Sequence, residues 1–361
     1  MKPLRMGIVG LGWAGETHLK SYLRLPNVEA VALAGLDELR LRELGERYAV
    51  PNLYRDYGEL VARDDLDAVS ICAPNHLHAP VANAALKSGK HVLCEKPLAR
   101  TGAEAEGIVR TARDVGRVVH IAFTQRERGD VQVLKRHILD GNLGCIYYAK
   151  ATWMRRNGIP GMGSWFTNKE MAGGGPLIDL GIHMIDMALY LMDEPDIESV
   201  SCATYAELGP QGRGGRPDAK TIVGVAYEVE DLATAFIRLS GGATLNLEAG
   251  WAAYRESSDD FGLTLYGTDG GAEMKVRNYG TQDTVRIYTD VSGVPAVVVP
   301  EIETREGHLA VVSRFVETVR SGDWQGQVGE VGLRRARIID ACYRSALEKR
   351  EVSFSQQRGS R

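Results

Sequence analysis

Between residues 5 and 123, short apolar runs alternate with amphipathic stretches at a steady pitch, and this rhythm restricts the fold more than any other feature of the chain. The runs Arg5–Val9, Ala30–Ala34, Ala68–Cys72, His91–Cys94 and Val118–Ala122 have the length and composition of strands. The stretches between them, His18–Leu25, Leu39–Tyr48, Pro80–Ser88 and Glu104–Val115, carry apolar residues at helical spacing. Strand–helix alternation predicts βαβ units and a parallel sheet. From about Asp130 the rhythm changes. A helical stretch, Val131–Asp140, precedes the alternating runs Cys145–Trp153, Thr221–Glu228, Ala233–Leu239, Thr244–Trp251 and Phe261–Tyr266. These predict a mostly antiparallel sheet with inserted helices at Pro176–Met192 and Gly307–Ser321, a polar loop at Gly209–Asp218 and a last helix at Glu330–Arg350. At roughly 150 residues per domain, 361 residues suit two domains.

Composition removes several classes of function. The 43 basic and 47 acidic residues leave a formal charge of −4, so no bulk positive field recruits nucleic acid. The longest apolar runs, such as Val69–Ala73, fall far short of the ~20 residues of a membrane helix. The five cysteines, Cys72, Cys94, Cys145, Cys202 and Cys342, are odd in number and never spaced as CxxC. With Met1–Gly12 read as a first strand and not a signal peptide, they suit free thiols in a cytoplasm, not disulfides or a zinc site. Glycine stands out at 41 residues, about 11% against a usual ~7%.

In a parallel sheet ligands bind beyond the carboxyl ends of the strands, and each of the five expected strands runs into polar or glycine-rich chemistry there. The first leads into Gly10-Leu11-Gly12-Trp13-Ala14-Gly15 and then a helix, a turn whose backbone N–H groups suit a pyrophosphate. After the second come Gly35 and Asp37. Asp37 suits the ribose hydroxyl of NAD or a helix cap, while Gly35 with Arg40 nearby suits the 2′-phosphate of NADP. The third ends Ala73-Pro74-Asn75, with His76 and His78 following, and places Ala73, Pro74, Asn75 and His78 at the cofactor edge. The fourth ends Cys94-Glu95-Lys96-Pro97 and the fifth Phe123-Thr124-Gln125-Arg126, where Gln125 suits the nicotinamide end.

Further along, Gly173-Gly174-Gly175-Pro176 opens a helix on which Asp179 and His183 lie four residues apart, one face of an otherwise apolar segment. Buried without partners such a pair is costly; as a base with its orienting carboxylate it is useful. Oxidising a secondary alcohol needs a hydride acceptor, a base for the hydroxyl proton and a cation that favours the alkoxide. Nicotinamide, His183 and Lys96 fill those roles, with Asp179 orienting the histidine. Asp186 reads as a capping or interior hydrogen-bond partner. The eight histidines show no metal-ligand spacing, and no metal is expected.

The glycine turn Gly10–Gly15, the triplet Glu95-Lys96-Pro97 and Gly173–His183 with its Asp-x3-His together resemble the glucose–fructose oxidoreductase / inositol dehydrogenase / rhizopine-catabolism family (Gfo/Idh/MocA) along essentially the whole chain. The resemblance implies an N-terminal Rossmann NAD(P)-binding domain over residues 1–124 and a C-terminal α/β domain with a large, mostly antiparallel open sheet over 125–354, with a frayed tail at 355–361. It implies that Lys96, Asp179 and His183 act on a hydroxyl of a sugar, glycoside or cyclitol, that the Lys96–Pro97 bond is cis, and that open sheets pack into a homodimer or homotetramer. Two positions depart from the family pattern: Gly35 stands where many members carry the ribose-binding acid, and Thr124 where Asn is common. Trp153, Arg155, Arg156, Asn157 and Trp165 are the candidates for substrate binding, since aromatic faces suit sugar rings and guanidinium forks suit hydroxyl-rich or acidic groups. Trp153 suits packing beneath the sheet equally well. An NAD-dependent glycosidase working through transient oxidation, and a non-catalytic nucleotide sensor, are the competing readings.

Overall fold

The structure is a computed structural model and describes residues 2–219, 221–222 and 224–354. The expected frayed tail, 355–361, lies outside the described residues. The chain separates into two compact units, Met1–Thr124 with Glu306–Arg337, and Gln125–Arg305 with Ile338–Arg361. A single cut at residue 124 would assign 306–337 to the second half; its packing instead groups it with the first.

The first unit holds a six-stranded parallel sheet: β1 (Leu4–Val9), β2 (Val28–Ala34), β3 (Asn52–Tyr54), β4 (Ala68–Ile71), β5 (His91–Cys94) and β6 (Val119–Ile121), in the order β3-β2-β1-β4-β5-β6. Between them run α1 (Trp13–Leu23), α2 (Glu38–Arg47), α3 (Tyr57–Val61), α4 (His78–Lys87) and α5 (Gly102–Val115). The five expected strands and four helices are all present, with edges moved by a few residues. Only the short edge strand β3 had no apolar run to announce it. Strands buried on both faces read as continuous apolar runs, as β4 and β5 do. One buried cluster contains Val69, Ile71, Ala82 and Ile108, and the other Met6, Ile8, Leu19 and Leu33. The second is closed by Val312 and Phe315 of α9 (Gly307–Ser321), whose bounds match the sequence expectation and which packs on α1.

The second unit is built on a nine-stranded sheet: β7 (Ile146–Arg155), β8 (Ile197–Tyr205), β9 (Leu232–Leu239), β10 (Thr244–Gly250), β11 (Asp259–Gly267), β12 (Gly271–Arg277), β13 (Val285–Val291), β14 (Val294–Val298) and β15 (Val352–Ser353). Their order is β14-β13-β12-β11-β7-β10-β9-β8-β15, antiparallel except for the β7–β10 pair. Helices α6 (Gly129–Leu139), α7 (Lys169–Ala172) and α8 (Ile182–Leu191) belong to this unit, with α8 against β7, β10 and β11. The last helix, α10 (Glu330–Glu348), begins in the first unit's segment and ends in the second's. Burial alternates along β9 and β10, one face apolar and covered, the other carrying Phe236 and Arg238 to solvent. The expected strand at Thr221–Glu228 is corrected: its described residues form no strand but loop, because Ile222 and Glu228 bond back to the Met162–Thr167 segment and not to a strand edge. The expected helix at Pro176–Met192 is also modified. It opens as a π-helical turn, Leu177–Gly181, before α8 begins.

Candidate active site

In the first unit the site grows from the strand ends. Gly10, directly after β1, has φ 91°, and a Cβ there would lie 2.5 Å from the backbone of Cys72 and Ala73, at the carboxyl end of β4. Gly15 sits with its Cα against the Gly10 carbonyl, where a Cβ would come within 2.0 Å. Gly12 differs: nothing lies within 4 Å of its absent Cβ. It is also the N-cap of α1 and offers no side chain to the helix N–H groups. Two glycines thus hold the turn closed and the middle one leaves room above the start of a helix, with Trp13 (72% exposed) and Ala14 following. This is the shape and polarity an anionic diphosphate requires, so the turn fits a dinucleotide. β1 and β4 are also where the strand order reverses, the place such sheets bind ligands.

At the end of β2, Asp37 caps α2, its carboxylate accepting the Arg40 backbone N–H at 3.1 Å, and stays exposed. The Arg40 guanidinium bonds Glu16, Glu43 and the Leu11 carbonyl. Bonds from Tyr48 and Lys20, with Arg40 in addition, draw the Glu16 carboxyl down to about 2. Gly35 leaves its space to the Leu11 side chain. After β4, Asn75 is buried at the start of a short turn, and His78 staples two strand ends. Its Nδ1 lies 2.6 Å from the Pro97 carbonyl and its Nε2 2.8 Å from that of Ala73. Burial pushes its pKa down, against the pull of those carbonyls.

At the end of β5, Glu95 meets two histidines the sequence reading missed. His18 Nε2 lies 3.1 Å from Glu95 Oε1 and His308 Nε2 3.6 Å from the same oxygen. Behind them, His18 Nδ1 bonds Ser70 Oγ at 2.9 Å and Tyr22 reaches Ser70 at 3.0 Å, a chain that fixes the ring and hence the carboxylate. Burial raises the Glu95 pKa, yet the two imidazoles outweigh it and hold the carboxyl well below its usual range. The three ligand-type atoms fall within 4.8 Å of one another, a gathering that spacing along the chain could not show. His308 also meets the Trp13 ring edge-on at 5.1 Å. Lys96 follows, half-buried, and the Lys96–Pro97 bond is cis.

In the second unit, the π-turn carries Asp179 and the first turn of α8 carries His183. Single-turn π segments occur disproportionately at functional sites. Trp251, at the end of β10, donates its Nε1–H to Asp179 Oδ2 at 2.9 Å. His183 is 7% exposed, with its ring 5.7 Å from that of Trp153. Trp153 and Arg155 are themselves held. Trp153 is buried, stacked on Phe261 at 4.5 Å and bonded to Asp259 Oδ1; Arg155 bonds Asp259 Oδ2 at 2.8 Å and the Tyr279 hydroxyl at 2.9 Å. Arg156 and Asn157 are exposed, and Trp165, half-buried, stacks on Phe166 at 3.8 Å. Asp186 is buried and taken by Arg126 through two bonds. Gln125, the first residue of this unit, has a buried Oε1 with no hydrogen-bond partner among the described residues. Trp251 and Asp259 were the missed partners here. Trp251 closed an expected strand, but no periodicity announces which carboxylate its indole meets.

Residues 4–123 match the model of the oxidoreductase family with an NAD-binding Rossmann fold (GFO/IDH/MocA), and residues 131–273 match the model of the GFO/IDH/MocA C-terminal domain. The chain is 33% identical over 349 residues to D-glucoside 3-dehydrogenase of Escherichia coli, covering 95% of each. It belongs to the GFO/IDH/MocA family. Levoglucosan dehydrogenase of Pseudarthrobacter phenanthrenivorans is another member, 31% identical over 94% of this chain and 88% of that one. A solved levoglucosan dehydrogenase in complex with NADH and L-sorbose superposes with a TM-score of 0.85 at 25% identity, covering 99% of this chain and 100% of the other. This GFO/IDH/MocA protein is therefore an oxidoreductase with an NAD-binding Rossmann domain and a second, mostly antiparallel domain. Among the described residues no helix is long and apolar enough to cross a membrane.

Proposed function

We propose that the protein transfers a hydride between a secondary hydroxyl of a sugar, glycoside or cyclitol and nicotinamide, with His183 as the general acid/base, Asp179 orienting it and Lys96 favouring the alkoxide. The observation that carries this reading is the Asp179–His183 pair, two titratable side chains on a buried apolar helix, the first held by an indole donor. The names of the relatives favour a glycoside or anhydrosugar. When bound, the nicotinamide supplies the hydride acceptor. This chain's residues do the rest: Lys96 presents an ammonium, His183 takes the hydroxyl proton, and Asp179 steadies the charged imidazole.

The first unit takes the cofactor in this reading, through Gly10, Gly12, Trp13, Ala14, Gly15, Asp37, Ala73, Pro74, Asn75, Glu95 and Lys96, with Gln125 meeting the nicotinamide amide. His78 acts behind them, holding the ends of β4 and β5 together. Arg40 is committed to Glu16 and Glu43, which supports NAD over NADP, since a 2′-phosphate would have to displace those bonds. Arg156 and Trp165, with exposed or half-exposed side chains, contact substrate, while Trp153 and Arg155 shape the wall beside His183. The aromatic residues on the open sheet face, among them Phe236 (37% exposed) and Tyr266 (38%), support a homo-oligomer packed through that face. The five free cysteines suit a reducing cytoplasm.

The test is NADH formation from NAD with a panel of glucosides, anhydrosugars, free hexoses and inositols. Lys96→Ala and His183→Ala are each expected to lower kcat by about 10²–10⁴-fold while the apo-protein keeps its melting temperature. Wild-type turnover in both variants would overturn the assignment.

A further inference from the structure

Two residues outside that machinery, Glu230 and Tyr343, pack on the triple glycine that precedes Asp179. A Cβ on Gly174 would lie 1.8 Å from the Tyr343 hydroxyl oxygen, and one on Gly175 2.1 Å from the Glu230 carbonyl. The glycines are there to admit these neighbours. Glu230 is 6% exposed, and its Oε1 accepts both the Leu177 backbone N–H at 3.1 Å and the Tyr343 hydroxyl at 2.8 Å. Leu177 is the first residue of the π-turn, and the preceding Pro176 has no side-chain cap to offer. The carboxylate of Glu230 thus substitutes for a cap from a distant segment, at the end of a helical stretch where negative charge is favoured.

The other side of the turn is tied to the same segment. Asp231, next in the chain, accepts the Trp251 backbone N–H through its carbonyl at 2.9 Å. The Trp251 indole in turn donates to Asp179 Oδ2. A closed circuit results: Glu230 to Leu177, through the π-turn to Asp179, to Trp251, to Asp231 and back to Glu230. The turn is gripped at its first residue by the Glu230 carboxylate at the entry to β9, and at its third by the indole of Trp251, which follows β10 and is bonded through its backbone to Asp231.

We infer that Glu230 is a positioning residue, which sets the π-turn so that Asp179 faces Trp251 and shares a side with His183, and that Tyr343 sets Glu230. The inference rests on Asp179 and His183 being the reacting pair. What Glu230 supplies is an acceptor oxygen at one point, so Glu230→Gln retains the function, whereas Glu230→Ala removes it and Glu230→Asp pulls it back by one methylene.

The experiment pairs steady-state kinetics with the Trp251 indole N–H resonance in a proton–nitrogen correlation spectrum, assigned by its loss in Trp251→Phe. In Glu230→Ala and Glu230→Asp the resonance moves as Asp179 leaves the indole. In both, kcat falls by about 10–100-fold with KM for the cofactor unchanged. Glu230→Gln keeps the wild-type resonance and stays within about threefold of wild-type kcat. A stationary resonance with unchanged kcat in Glu230→Asp overturns the inference, and so does a Glu230→Gln variant as impaired as Glu230→Ala. If Glu230→Ala does not fold, Glu230→Asp against Glu230→Gln decides alone. Full turnover in Asp179→Asn and His183→Ala would defeat the active-site reading while leaving the resonance to report on the clamp; a stationary resonance beside an inactive Asp179→Asn would defeat the clamp alone.

Discussion

The two units assemble their sites in opposite ways. In the first, each strand of a parallel sheet delivers its own polar residues to one edge, so glycine turn, Asp37, Asn75, Glu95 and Lys96 follow their strands within a few positions. In the second, each important side chain is completed by one far away in sequence: Asp179 by Trp251, 72 residues on, and Trp153 by Asp259, 106 residues on. A parallel sheet puts all its carboxyl ends on one side, so chemistry accumulates there strand by strand. An antiparallel sheet sends alternate strand ends to opposite edges, and partners meet only through register. Apart from Glu95, which His18 and His308 hold from afar, the first kind of site tolerates change at single positions according to local space; the second depends on pairs throughout.

That contrast can be broken at several points. The largest effect is expected at Gly10: alanine there faces both a positive φ and backbone at 2.5 Å, so Gly10→Ala is expected to lose about 3 kcal/mol or more, read from chemical denaturation. Gly12→Ala meets nothing within 4 Å, so it should keep wild-type stability and still weaken NAD binding by about tenfold, read by calorimetric titration. Equal behaviour of the two would remove the distinction between a turn-closing and a cofactor-facing glycine. In the second unit, Trp251→Phe removes the donor to Asp179 and is expected to lower kcat by about tenfold. An unchanged kcat would show that the distant pairing is incidental.

A further effect is expected in pH. Val118 donates its N–H to His91 Nδ1 at 3.0 Å, and burial, with Arg117 nearby, pushes the ring pKa down from 6.5 to about 4. The folded protein therefore holds His91 neutral. Its contribution is complete above pH 6.5 and is lost as the pH falls from there towards 4. With the ring only partly buried, the loss is expected to be on the order of 1 kcal/mol, measured as urea midpoints across that range; His91→Asn should flatten the profile.

How much could be read from residues alone follows the same division. β1, β2, β4, β5 and β6 announce themselves because their inward residues form short, mostly apolar runs broken at single positions such as Arg5, Glu29, Ser70 and His120. β12 and β13 carry charges that dilute their apolar runs, while β14 is an exposed Val-Pro-Ala-Val-Val run with no polar alternation to mark it. Asp179 and His183 were visible as polar residues in an apolar helix, but the π-turn was not, since its hydrogen-bond geometry leaves no compositional mark. His18 was in plain view on α1, three residues after Gly15, yet its meaning depends on Glu95 and on His308, which arrives from the far end of the chain.

That late arrival matters for how the protein is made. Phe315 and its neighbours on α9 close one face of the nucleotide-binding unit, and His308 completes the surroundings of Glu95. A ribosome that has finished residue 124 must add another 192 before Val316 exists, a wait of roughly ten to forty seconds at ordinary elongation rates. Through that interval the nascent Rossmann sheet carries Ile8, Leu19 and Leu33 without their lid, an apolar surface for chaperones to shield until the chain comes back to cover it.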